Sequence, residues 1–335
     1  MTDPVPYPVL LALLALAVSA LFAASLLTGT SGLGLAESVQ ALFAPEPGQQ
    51  AVALVMREIR LPRALLGLMV GASLGLAGAV LQGYLRNPLA EPGLIGVSAS
   101  ASFGAVLAFY TGLAGTVALA LPVMALVGAL LAVGLVFAIA GRSGGSLTVI
   151  LAGIAVSSLA GALVSLTLNL SPNPFAAYEM MFWLLGSLAD RSLQHVMLAA
   201  PFMLAGWLLL ALTARSLDAL TLGEDAAAAL GVRLGRLRLL AVLGTAVAVG
   251  AATAVAGAIG FVGLVVPHLL RPLVGGMPSR LLPASALGGG ALLLAADLAV
   301  RLIAPDRDLK LGVVTALIGA PFFVWLVLKT RRDMA

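Results

Sequence analysis

The sequence predicts an all-α integral membrane protein of about ten transmembrane helices, and three observations carry that prediction. Of its 335 residues, 61% are hydrophobic and only 10% are charged, against roughly 25% charged in a soluble domain. Mean hydropathy is +1.12. The apolar residues, mostly Leu, Ala, Val and Gly, fall in unbroken runs near 20 residues, and about 20 residues at 1.5 Å each carry a helix across a ~30 Å hydrocarbon core. The spans are therefore helical and not barrel strands.

Taken in order, the apolar runs between Gly, Pro and charged punctuation place spans near residues 8–28, 63–84, 94–111, 115–140, 147–169, 193–213, 237–256, 259–275, 281–301 and 312–329, all within one domain, 1–335. The first, PVLLALLALAVSALFAASLLT, has an apolar stretch longer than the roughly 7–15 residues of a signal-peptide core and no Lys or Arg before it, so it is expected to be a retained span. The second begins at Pro62, which suits a first helical turn where a missing N–H costs nothing. Within it, Gly67, Gly71 and Gly75 recur every fourth residue and Gly78 follows, a stripe that lets another helix backbone come close where lipid supplies no hydrophobic drive.

Three connections are longer than tight turns. Residues 29–60 read as a turn followed by a short surface helix. Residues 170–192 contain SPNPFAAYEMMFWLLGSLADRS, whose apolar middle is too short to cross and suits a helix lying at the interface. Residues 214–236 form the most hydrophilic long stretch inside the chain. There Gly223 can start a short helix, Glu224 and Asp225 suit its positive end, four alanines propagate it and Gly231 can stop it. Such a unit could dock into a groove of a soluble partner or lie on the membrane as an amphipathic linker.

Lys and Arg set the orientation. Ten crossings put Arg86, Arg142, Arg215, Arg233, Arg236, Arg238, Arg271, Arg280, Lys329, Arg331 and Arg332 on one side, and Arg57, Arg60, Arg63, Arg191, Arg301, Arg307 and Lys310 on the other. The richer side, which holds both termini, is expected to be cytoplasmic. The stretch REIRLPR, residues 57–63, then faces outward against the charge rule, which leaves three readings: another use for those arginines, a merely solvated loop, or a shifted span.

After the second span, LRNPLAEPG (residues 85–93) leaves helix, because proline removes a donor and restricts the residue before it. It is either a cavity-lining break at membrane depth, which is tolerated, or a plain interhelical turn. Several function classes are excluded. Neither lysine, Lys310 or Lys329, follows the glycines of a phosphate-binding Walker loop, so the chain does not hydrolyse ATP. No cysteine is present. His195 and His268 lack carboxylates at ligand spacing, which argues against zinc. No paired intramembrane carboxylates appear, and no basic cluster is interleaved with aromatics as on a nucleic-acid surface. An ion-coupled transporter would want charges deep in its spans. Asp297 is the nearest candidate, and an i, i+4 pair with Arg301 accounts for it better.

Four stretches, RLPRALLGLMVGASLGLAGAVLQGYLRNPLAEPGLIGVS, LGEDAAAALGV, GAIGFVGLVVPHLLRPL and GVVTALIGAPFFVWLV, lie in order between residues 61 and 327. Together they resemble the permease family of bacterial ABC importers for ferric siderophores, haem and vitamin B12. The resemblance implies a ten-helix subunit of the type II importer fold, in the inner membrane, forming a homodimer with the pathway at its two-fold axis. It also implies two cytoplasmic ATPase subunits and a periplasmic binding protein as partners. This chain would bind no cofactor, ATP and Mg being used by the ATPase.

By the same resemblance Arg60, Arg63 and Arg301 would be exposed to the periplasm and meet glutamates of the binding protein. Gly223, Glu224 and Asp225 would contact the ATPase. Asn87 and Leu89, with the loop from Ser143 to Ser146, would form the cytoplasmic gate. The chain departs from the family where RDLKLG (residues 307–312) replaces a TELPVG-like sequence, adding Arg307 and Lys310 beside Arg301. On the fifth span, Ser158, Ser165 and Asn169 share one face by i, i+7, i+11 spacing and are expected to line the pathway. The expected cargo is haem or a ferric siderophore, with cobalamin as the alternative and an ion-coupled secondary transporter as the rival of another class.

Overall fold

The computed structural model describes residues 6–29, 38, 40, 50–117, 119–141, 145–304 and 309–334. Every regular element among them is helical. In chain order the longer α-helices among the described residues are α1 (Tyr7–Leu27), α2 (Leu61–Tyr84), α3 (Val97–Tyr110), α4 (Ala120–Ala140), α5 (Ser146–Asn169), α6 (Pro174–Leu184), α7 (Leu193–Ala211), α8 (Ala214–Leu220), α9 (Glu224–Ala229), α10 (Leu234–Ala256), α11 (Val262–Leu270), α12 (Pro278–Ile303) and α13 (Leu311–Met334). Eight of the ten expected spans are helices long and apolar enough to cross a bilayer. The other two, α3 and α11, are short because each begins at a backbone break inside the bundle.

The bundle is organised around α2 and α12, which run antiparallel with their backbones in contact. A Cβ added at Gly71 would collide with the Gly289 carbonyl, and one at Gly75 with the carbonyl of Ser285. The stripe read from the sequence is thus a helix–helix seam. Side-chain anchors attach the neighbours. Trp207 of α7 donates from Nε1 to Ser73 Oγ at 2.8 Å, and that hydroxyl in turn donates to the Met69 carbonyl at 2.8 Å, so the buried indole N–H is satisfied. At the start of α1, Tyr7 donates to the Arg280 carbonyl at 3.2 Å, and the Arg280 guanidinium lies 5.6 Å from the tyrosine ring centroid. Helix α1 therefore runs parallel to α12.

These contacts define two ends of the bundle. One holds the end of α1, Arg63 and the end of α12. The other holds Tyr7, the end of α2, the start of α12 and the 214–236 connection, whose Leu217 packs on Gly83. The first is called here the arginine end and the second the loop end. Helix α6 lies at the arginine end, where Lys310 sits 5.2 Å from the Phe182 ring centroid.

Pro62 lies in the first turn of α2, as expected, but the helix does not begin there. Helix is continuous from Gln50 to Tyr84, with a π-helical segment, Val55–Arg60, directly before Leu61. There the Leu61 N–H reaches back to the Met56 carbonyl, five residues away. A proline ring clashes with the carbonyl four residues earlier, and a widened π turn is a known way of accommodating such a local conflict. The remainder of the 29–60 connection lies mostly outside the described residues.

Because a leucine at position 71 meets backbone carbonyl and not a movable side chain, Gly71→Leu is expected to cost about 3 kcal/mol or more. Thermal unfolding of the detergent-purified protein reads it. The control, Gly134→Ala in α4, has no heavy atom within 4 Å of the added Cβ and should be neutral or gain up to about 1 kcal/mol of helix propensity.

Candidate functional site

The arginine end is a single charge cluster. Arg63 of α2 grips Asp297 of α12 with two nitrogens, Nε at 3.0 Å and Nη2 at 2.8 Å from Oδ1. Arg301, one turn beyond, reaches the other oxygen, Oδ2, at 3.0 Å. Asp297 is 1% exposed, so its charge is held by two guanidinium groups, as a buried carboxylate requires. The i, i+4 pair was legible in the sequence, whereas the partner 234 positions away was not.

Arg301 also donates to the carbonyls of Ser25 and Thr28, both at 2.9 Å, and to Ser25 Oγ at 2.6 Å. Arg60 donates to the carbonyls of Leu26 and Leu27 at 2.9 and 3.2 Å. The last turn of α1, whose carbonyls lack helical partners, is thus closed by arginines from two other helices. This corrects the expectation of three exposed arginines: Arg60 is only 5% exposed, and Arg63 and Arg301 are largely engaged inside the protein, with side-chain exposures of 19% and 13%. The cause is the set of orphan carbonyls and the buried Asp297, which the resemblance did not reveal. Arg307 lies outside the described residues.

At the loop end, the short helix forms as its residues suggest. Gly223 adopts φ 105° at the N-cap, Glu224 and Asp225 occupy the first turn, and Gly231 at φ 87° follows the end. Glu224 and Asp225 are exposed while Ala227 faces inward. Two leucines flanking the helix, Leu222 and Leu230, are 68% and 66% exposed. They escaped notice in the sequence because apolar residues are the background of this chain, and they frame the acidic turn with apolar surface.

The break after α2 combines a turn with a short 3-10 segment, Pro92–Ile95. Asn87 Oδ1 accepts the Leu89 N–H at 2.9 Å and the Asn87 carbonyl accepts that of Ala90 at 3.1 Å, a local turn of the kind Asn favours. Beyond it Pro92 is buried against Gly263, and the Glu91 carboxylate lies by the backbone N–H of Phe261. A cavity of about 100 Å³ is lined there by Leu74, Glu91, Pro92, Ser98 and residues 258–261. The segment is thus a turn at Asn87–Ala90 followed by a stretch, Glu91 to Gly93, that lines this hollow. Phe261 itself takes φ 66°, a costly value for a non-glycine residue, and its ring occupies the space that a side chain at Gly319 would fill. Asn87 and Leu89 sit half-buried at the loop end. Ser143 lies outside the described residues, and Ser146 is placed only as the first residue of α5.

Along α5, Ser158, Ser165 and Asn169 are all exposed on one side of the helix, Ser165 returning its hydroxyl to the Gly161 carbonyl at 3.0 Å. Between the end of α6 and α13, an open apolar hollow of about 560 Å³ is lined by Leu184, Leu185, Ala258, Val313, Leu317 and Pro321. The two histidines are separate. His195 closes a capping box with Ser192 at the start of α7, and His268 sits edge-on to Phe322, 5.6 Å between centroids.

Comparison with known proteins gives a consistent result. The profile of the FecCD transport family matches residues 15–329. The cobalamin import system permease protein BtuC of Halobacterium salinarum is 42% identical over 84% of this chain and 74% of its own length. The ferric enterobactin transport system permease protein FepD of Escherichia coli K12 is 39% identical over 100% of this chain and 98% of its own. A solved structure described as an inward-facing, metal-chelate type ABC transporter superposes with TM-score 0.83 at 34% identity, over 96% of this chain and 99% of that one.

Asp297→Asn removes the one carboxylate held by Arg63 and Arg301. It is expected to destabilise the protein by about 3–5 kcal/mol, the cost of leaving buried charge unpaired, as measured by thermal unfolding in detergent.

Proposed function

Because the chain belongs to the FecCD transport family, we propose that it is the membrane-spanning permease of an ATP-driven importer, moving an iron chelate, haem or a ferric siderophore, from a periplasmic binding protein into the cytoplasm. The observation that carries this reading is the separation of two surfaces across one bundle: the arginine cluster at one end, and the acidic helix α9 between exposed Leu222 and Leu230 at the other.

The loop end is then cytoplasmic, and both termini with it. Glu224 and Asp225, presented from Gly223, meet a separate ATPase subunit that supplies the hydrolysis this chain lacks. Three arginines against one carboxylate give the cluster itself a net charge of +2 (3 − 1). Even with Arg60 buried, that field favours the acidic lobes of a periplasmic carrier. The arginines of that cluster therefore act both as internal ties and as a fixed electrostatic target.

Two copies of the chain complete the pathway. The faces of α5 and α13 that no neighbour covers carry Leu151, Ile154, Leu317 and Val324, all more than 40% exposed, beside the uncharged polar residues Ser158, Ser165 and Asn169. A wall of that composition suits a bulky chelate that must pass without sticking. The turn at Asn87 and Leu89, with the loop through Ser143 and Ser146, closes its cytoplasmic mouth. Cobalamin is the second reading, favoured by the 42% identical permease. It shares the same architecture and differs only in cargo.

Reconstitution in liposomes tests the assembly. Uptake of the chelate is expected only with ATPase, ATP and carrier together, and uptake by the chain alone under a proton or sodium gradient would replace this reading with a secondary transporter. Reversing Glu224 and Asp225 to lysine is expected to abolish co-purification of the ATPase, because it places two like charges at the positive end of α9 and inverts the docking surface.

A further inference from the structure

The start of α12 has no side-chain cap from its own sequence. Its N-cap position is Met277, and Pro278 follows. The free N–H of Ser279 is instead taken by Asp218, whose Oδ1 accepts it at 2.8 Å from 61 residues away. Asp218 belongs to α8, immediately before the α9 docking helix. A carboxylate at a helix N-terminus satisfies an orphan donor and meets the positive end of the dipole, so this contact fastens α8 to the end of α12.

The neighbouring residue fastens α8 to α2. Leu217 is fully buried and its methyl groups approach Gly83, the last turn before the Asn87–Leu89 turn. Leu220 is buried as well. Helix α8 is therefore seated at once on the two helices that share the glycine seam. At their far ends those same helices carry Arg63 on one side and Asp297 with Arg301 on the other.

We propose that Asp218 is a positioning residue for transport: by capping α12 from α8, it makes the α2–α12 pair a rod that relays occupancy of the arginine cluster to the ATPase-docking helix. The proposal rests on the assignment of those two surfaces made above. It assigns no contact between Asp218 and the ATPase, since the side chain is turned inward to Ser279 while Glu224 and Asp225 face solvent.

The test uses the assembled complex in nanodiscs, with ATP hydrolysis measured with and without the binding protein. In the natural sequence, carrier-stimulated hydrolysis is expected, and its absence would undo the assignment of the two surfaces and not the role of Asp218 alone. Asp218→Ala should still co-purify with the ATPase and keep its hydrolysis without carrier, while the carrier-stimulated increment falls about five-fold, the equilibrium factor of one lost cap. Asp218→Asn keeps an equally good cap without the charge and should restore the increment. Full stimulation in Asp218→Ala overturns the proposal. If that variant does not fold, Asp218→Asn decides alone: retained stimulation supports the capping role, and lost stimulation in a folded Asp218→Asn complex overturns it.

Discussion

The backbone contact between α2 and α12 is the constraint on which the rest of this structure depends. In a bilayer, helices gain little by hiding leucine from lipid, so association has to come from close packing and from polar groups that find each other. Gly71, Gly75 and Gly289 let two main chains touch. Once they touch, Arg63 and Asp297 come within bidentate reach, and the end of α1 is drawn in through Arg60 and Arg301. Ser73, on the same stretch of α2, anchors Trp207 of α7. Cluster and core are two consequences of one seam.

A rigid seam gives meaning to the parts that are irregular. The breaks at Pro92 and at residues 257–261 meet around a small cavity and leave α3 and α11 short, so non-helical backbone appears where protein and not lipid surrounds it. Phe261 holds a left-handed conformation there. Such local strain persists where the surroundings over-determine it, and it sits between α13 and the α2–α12 pair. A permease has to combine a part that does not deform with a part that can, and here the two are adjacent.

Much of this was legible in the sequence, and the misses follow a pattern. Length and hydropathy place the spans, because the bilayer thickness is a fixed ruler. The glycine stripe announces a seam, and Gly223 with Glu224, Asp225 and Gly231 announces a short helix, because each acts on its own backbone. What escaped were relations over distance: Arg63 with Asp297, Arg60 with the carbonyls of Leu26 and Leu27, and Asp218 with Ser279. Each joins residues at least 33 positions apart, and nothing in local spacing encodes such a pair. The arginines therefore looked exposed when they are chiefly ties. The π turn at Val55–Arg60 was hidden for another reason, since Pro62 is compatible with a helix start and equally with a widened turn before it.

The central claim is that α2 and α12 move as one body between the two surfaces. The chain contains no cysteine, so spin labels can be placed at Ile59 and Leu302, which are 56% and 68% exposed at the arginine end. With one protomer of the complex labelled, pulsed electron paramagnetic resonance measures their separation at rest and with ATP trapped. A single narrow distance, unchanged between the two states, is the predicted result. A shift or a second population on ATP trapping would show the pair sliding or parting, and would contradict the account.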